Sequence, residues 1–190
     1  MPKLISALSF AALISFSVAI VAEDKKEEDR SFTVAEGKLA FKAPAGWTKK
    51  KPKSNIIEVE FEAPAAKGDE IAGRLTIMGA GGNVQQNIER WYGQFTQPDG
   101  SETKDKAKLE KMSIGGQTVH MVDVAGTYKD TPGGPFAGGK PVLRENFRML
   151  AAIIETKAAG NYFIKFYGPK GTIAENEKAF KEMLQSLVVK

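Results

Sequence analysis

The chain has 190 residues, a formal charge of +4, one His and no Cys. The missing Cys excludes disulfides, thiolate metal sites and a lipid-modified cysteine behind a leader, and a single His excludes a histidine-rich metal centre. The mild basic excess, with no aromatic residues interleaved among its lysines, is no nucleic-acid signature.

Lys3 precedes an apolar run from Leu4 to Val21, which turns charged at Glu23. This is the layout of a secretory signal peptide over 1–22, with cleavage expected after Ala22 or Ala19. The run is also as long as a short membrane helix, so an uncleaved anchor is the alternative. Ser6, Ser9, Ser15 and Ser17 dilute it, and no basic cluster follows it. Residues 23–31 form a charged linker without an apolar core of its own. A single domain is expected over 32–190, about 160 residues and enough to bury its own core.

Leu39 and Phe41 begin an alternating strand that runs into Pro44-Ala45-Gly46-Trp47, where the chain bends and Trp47 covers the edge of the core. Ile57, Val59 and Phe61 alternate with Glu58, Glu60 and Glu62, predicting a half-buried strand with one acidic, solvated face. Arg74 to Met78 is a further strand. After Gly79-Ala80-Gly81-Gly82 comes a helix with the stripe Val84, Ile88, Trp91 and Phe95, capped by Asn83 and ending near Pro98. Residues 101–108 read as a polar loop.

Leu109–Ile114 and Thr118–Tyr128 predict a hairpin around Gly115-Gly116. Residues 129–141 are too rich in Gly and Pro for a regular element. Asn146–Thr156 and Tyr162–Tyr167 form a second hairpin, apolar on both faces and therefore central. Thr172 opens the last helix, with Glu175 completing a capping box and Ile173, Phe180, Met183, Leu184 and Leu187 facing the core. About six or seven strands on short turns, with one mid-chain helix and one C-terminal helix, predict an α+β fold with a mostly antiparallel central sheet. Cover on both sides makes it an α/β/α sandwich.

Three segments carry a family resemblance. They are Pro44-Ala45-Gly46-Trp47 after a strand, the mid-chain helix with Ile88-Glu89-Arg90-Trp91, and Tyr162-Phe163-Ile164-Lys165-Phe166 with Gly168-Pro169 and the closing helix through Phe180, Met183, Leu184, Ser186 and Leu187. Together they resemble the PsbP-like superfamily over residues 39–189. That superfamily includes the extrinsic PsbP protein of photosystem II, a Ran-binding nuclear import factor and many exported bacterial proteins. The resemblance implies a binding or accessory module. It supplies no functional residue to carry over, and a fold alone implies no photosynthetic role.

The strongest candidate surface is the long loop at 129–145, with Phe136 at its centre and Lys140, Arg144 and Glu145 at its exit. A weaker anion-binding candidate is Gly81, Gly82 and Asn83 at the start of the helix, where free N–H groups could hold a phosphate or carboxylate. His120, with Ser113 and Asp123 near it in sequence, is the one possible centre for hydrolysis. Asp123, three residues along the same strand, points to the opposite face. Glu58, Glu60 and Glu62 stand too far apart for one cation without other donors. Lys49, Lys50, Lys51 and Lys53, with Lys104, Lys106 and Lys108, form two basic patches. The expectation is an exported, non-enzymatic binding domain with no cofactor and no metal. Its partner would be a protein or small ligand outside the cytoplasm, with no nucleic acid, and with membrane contact only through an uncleaved N-terminal helix. The alternatives are a hydrolase centred on His120 and a membrane-anchored structural protein of the envelope.

Overall fold

The computed structural model describes residues 29–131, 140–157 and 159–190. The N-terminal apolar run lies outside them. The architecture is α+β, built on a large antiparallel sheet. Its strands are β3 (Thr48–Lys50), β4 (Val59–Ala63), β5 (Gly73–Gly79), β6 (Phe95–Thr96), β7 (Lys108–Ile114), β8 (Gln117–Asp130), β9 (Val142–Thr156) and β10 (Gly160–Pro169). The order is β3-β4-β5-β10-β9-β8, and β8 carries β7 along its first half and β6 along its second. A smaller sheet joins β1 (Ser31–Val34), β2 (Leu39–Lys42) and β11 (Val188–Val189) in the order β1-β2-β11. The helices are α1 (Val84–Tyr92), α2 (Thr103–Lys106) and α3 (Lys170–Gln185).

Alternation along the two central strands divides the core. Leu150, Ala152 and Ile154 of β9, with Ile164 and Phe166 of β10, face α3 and the small sheet. Met149, Ala151 and Ile153, with Phe163, face α1. Trp91 of α1 stands edge-on to Phe163, and Trp47 lies against Phe166 with its indole N–H donating to Asn176 of α3. Trp47 thus covers the core edge, as the sequence implied.

The hairpin at Gly115-Gly116 has positive φ at both residues, the backbone of a two-residue turn that twists with its strands. Asn83 caps α1, its Oδ1 accepting from the N–H groups of Gln85 and Gln86. Asn83→Ala should therefore cost about 1 kcal/mol of stability, read as a lower urea midpoint with an unchanged slope.

Several boundaries differ from the expectation. α1 ends at Tyr92, so Phe95 belongs to β6 and is buried by pairing opposite Tyr128, not by the helical stripe. The polar segment 101–108 contains the short α2 and the first residue of β7. Thr172 does not open α3: the helix begins at Lys170 behind Pro169. The Thr172 hydroxyl accepts from Ala66 N–H and donates to Asp69. Those bonds pin the 64–69 loop to the helix, and a capping box would need that hydroxyl elsewhere. Glu58, Glu60 and Glu62 do not share one solvated face. Glu58 is exposed but accepts from Ala35 N–H and Tyr162 O–H, Glu60 is buried against Arg74, and Glu62 is exposed and paired with Lys50.

Both edges of the main sheet end in charge. β3 is exposed throughout and carries Lys49 and Lys50, while β7 carries Lys108, Glu110 and Lys111. Lysines on an edge strand oppose pairing with a second sheet.

Candidate functional site

β8 and β9 continue pairing well past the sheet they belong to. The last β9–β10 pair is Phe147–Pro169, yet β9 stays paired with β8 as far as Val142–Asp130. The result is a ribbon of residues 127–130 and 142–146, flanked by β6 at Thr127 and Tyr128 on its β8 side and by no strand on its β9 side among the described residues. At its base, Glu145 and Asn146 together oppose Thr127, and Asn146 adopts φ 54°. This is a β-bulge with a left-handed residue, and it redirects the strand where β10 stops. Gly126 faces it with φ 152°; a Cβ there would lie 2.6 Å from Thr96 O.

The ribbon absorbs part of the loop expected at 129–141, because cross-strand bonds satisfy the backbone whatever the side chains are. Lys129 and Asp130 lie in β8. Arg144 lies within β9 opposite Tyr128, with its Nε 3.3 Å from Asp130 Oδ2. Lys140 and Glu145 are exposed, and Phe136 lies outside the described residues. Val142 and Leu143 at the free end are exposed, Leu143 by 64%. Among the described residues, no strand pairs with the outer edge of 142–146.

Beside the ribbon lies a partly buried polar cluster. Arg74 grips Glu60 through two bonds of 2.9 Å and donates to the Tyr167 hydroxyl at 2.6 Å. The guanidinium holds the Glu60 carboxyl below the usual carboxylate range. Tyr167 packs 5.3 Å from Tyr128, whose ring stacks on Phe147 and leans on Phe95. Burial raises the phenol pKa of both tyrosines. Lys165 stands between them. It is 8% exposed, its Nζ lies 5.3 Å from the Tyr167 ring centre and 5.9 Å from that of Tyr128, and it donates to Gln94 Oε1 at 2.7 Å.

The charge on Lys165 is contested. The ring faces favour the ammonium, by about 1 kcal/mol each near the limit of cation–π range. Burial opposes it more strongly and nearby Arg74 adds to that, so the amine is pushed down to about 8. No carboxylate touches it among the described residues. One sequence signal could have found this group: it is the lone charge in a strand, Tyr162–Tyr167, that is otherwise apolar on both faces.

The remaining candidates are dispersed. His120, in step with Val122 and Val124, faces the α1 side, and its Nε2 meets Glu155 Oε1 at 2.7 Å. Asp123 is indeed on the other face, bidentate to Arg148, which also reaches Glu177 of α3. Ser113 is exposed and makes no bond to His120. At the start of α1, the N–H groups of Gln85 and Gln86 bond to Asn83 itself. The carbonyls of Gly81 and Gly82 accept from Asn87 and Asn161, so Gly81, Gly82 and Asn83 present a closed turn. Lys106 pairs with Asp99 and Lys50 with Glu62. Among the described residues, no group of three His, Asp or Glu side chains is placed to hold a metal ion, and no helix is long and apolar enough to cross a membrane.

No protein-family model matches the chain, and no curated protein matches it. Solved structures do resemble it. A Pseudomonas aeruginosa protein of unknown function, PA94, is 15% identical with a TM-score of 0.46, over 84% of this chain and 96% of that one. A Bacteroides thetaiotaomicron protein is 14% identical with a TM-score of 0.45, over 85% of this chain and 48% of that one. The solution structure of cyanobacterial PsbP (CyanoP) from Synechocystis is 12% identical with a TM-score of 0.48, over 84% of this chain and 91% of that one. The structural neighbours thus include a PsbP, the family that the sequence resembles.

Proposed function

We propose that this chain is an exported, non-enzymatic binding or accessory domain. Its contact surface is the ribbon of residues 127–130 and 142–146 with the loop it carries. One observation supports this above all. The 142–146 edge has no strand beside it among the described residues, and exposed Leu143 and Val142 lie at its tip. An unpaired edge with apolar side chains offers an extended segment of a partner protein both backbone bonds and pockets. The bulge holds that edge away from the sheet. The α/β/α layering belongs to the same reading, with α3 and α1 on opposite faces leaving the ribbon end uncovered. Among the described residues, the imidazole of His120 meets Glu155 and no Ser or Thr hydroxyl, which does not favour hydrolysis centred there.

The test is an affinity pull-down from the extracytoplasmic fraction. Wild type should capture a specific protein that is lost with Leu143→Asp and with the double variant Phe136→Ala, Arg144→Ala. Leu143 is exposed and Arg144 half-buried on the ribbon, so Leu143→Asp and Arg144→Ala should leave the core intact, and circular dichroism of each variant checks the fold. A partner retained by every variant would move the site off the ribbon. Mass spectrometry of the mature N-terminus tests export: a new terminus at Glu23 or Ile20 supports it, and an intact Met1 supports the anchor.

A further inference from the structure

We propose that the polar cavity between the main sheet and α3 binds a small zwitterion, a free α-amino acid with an uncharged side chain. The cavity measures about 270 Å³. Its floor is Met121 and Leu150, both buried, and its walls are charged. Strand alternation puts Lys108 and Glu110 of β7 on the same face as Asp123 and Met121 of β8, and α3 adds Glu177 and Lys181. Most of these charges are spent on one another. Arg148 grips Asp123 through two bonds of 2.8 Å and reaches Glu177 at 2.8 Å, and Lys181 takes the other Glu177 oxygen at 2.6 Å. Lys108 and Glu110 are the exception. The residue opposite Lys108 is Asp123, already held by Arg148, and the residue opposite Glu110 is the uncharged Met121. Both are exposed, and among the described residues neither side chain has an ion pair or a hydrogen bond.

An unpaired cation and an unpaired carboxylate thus stand on one strand face, with about 7 Å between their backbone positions. Their long side chains can converge on a ligand whose ammonium and carboxylate sit on neighbouring carbons. The charge balance selects the same class. Three cations and three carboxylates line the cavity. A ligand with a net charge would leave that charge uncompensated in a partly enclosed space, and a zwitterion leaves none. The cations standing among the carboxylates oppose a metal ion, which needs oxygen donors around it. No aromatic side chain lines the cavity, so a sugar or a base finds no ring to stack on. The volume, just under the range of pockets for drug-sized ligands, suits a small one.

Isothermal titration calorimetry of the full chain with glycine, L-alanine, L-serine and L-glutamine tests it. At least one should bind saturably, with an affinity that falls as salt rises. Its amide, which lacks the carboxylate, and its N-acetyl derivative, which lacks the ammonium, should each bind at least about tenfold more weakly. Lys108→Ala and Glu110→Ala should each lower the affinity for the amino acid about tenfold. Lys108→Ala should also erase the difference between acid and amide, and Glu110→Ala that between the free and acetylated amine. Both side chains are exposed, so the variants should keep the core, which circular dichroism checks. Three results would overturn the proposal: no saturation with any of the four amino acids, equal binding of the acid, amide and acetyl forms, or binding unchanged in both variants. If a variant does not fold, the comparison of the three forms on wild type decides. The ribbon reading is untouched by either result.

Discussion

Lys165→Met should stabilise the protein at neutral pH, by about 1–3 kcal/mol. At about 1.4 kcal/mol per pKa unit, a lysine lowered from 10.5 to about 8 costs the fold about 3 kcal/mol when it must be charged. The lower end allows for the cation–π contacts and the Gln94 bond that Met would forgo. Below pH 8 the folded and unfolded chains both carry the proton, and the penalty is complete. Between pH 8 and 10.5 the folded state releases the proton first, so wild-type stability climbs as pH rises. The advantage of Lys165→Met should therefore shrink steadily from pH 7.5 towards pH 10. Urea titrations of both proteins across that range check it. A gap that stays constant with pH would show that Lys165 is not desolvated, and a variant less stable at pH 7 would show that the cation–π cage outweighs burial.

Phe166→Ala should cost about 3–5 kcal/mol, the scale for removing a buried ring and leaving its space unfilled. Phe166 is fully buried, 4.7 Å from Trp47 and 5.6 Å from Phe180, so its ring joins α3 to the sheet. Against a usual domain stability of about 5–15 kcal/mol, such a loss is a large part of the total. It should show as a fall in the urea midpoint and a change in Trp47 fluorescence. Gly73 gives an internal check, since a Cβ there would lie 2.7 Å from the Phe166 ring. Gly73→Ala should be costly alone and less so with Phe166→Ala, a coupling that a double-mutant cycle reads directly. A cost below about 1 kcal/mol for Phe166→Ala would mean that the surroundings collapse into the space.

Elements with a strong local signal were legible in the sequence. The β7–β8 hairpin, the central β9–β10 pair and the Asn83 cap follow from local rules that tertiary structure did not override. Phe95 shows where such rules end: its spacing from Trp91 suits a helix, but the pairing with β8 buries it as a strand. The ribbon was hidden by composition. Lys129, Asp130, Arg144 and Glu145 look like loop residues, yet a strand paired with its neighbour tolerates polar side chains on both faces. Thr172 and Glu175 have the spacing of a capping box, but Asp69, far away in sequence, claims the Thr172 hydroxyl. The surface proposed for partner contact includes residues the sequence had already singled out, and of Phe136, Lys140, Arg144 and Glu145 the structure places Arg144 and Glu145 in β9. The cage around Lys165 was not legible, because it joins residues 60, 74, 94, 128, 165 and 167 from separate elements.

The lysine-bearing edge strands β3 and β7 bear on how the protein can be handled at the bench. Acetylation, or coupling through amide bonds to a dye or a resin, would neutralise Lys49, Lys50, Lys108 and Lys111 and leave two bare sheet rims. Such preparations should cloud or form oligomers as the degree of modification rises. Reductive methylation keeps each ammonium charged, so the same protein alkylated to the same extent should stay clear. Immobilisation for partner capture is therefore better made through an appended tag than through amines.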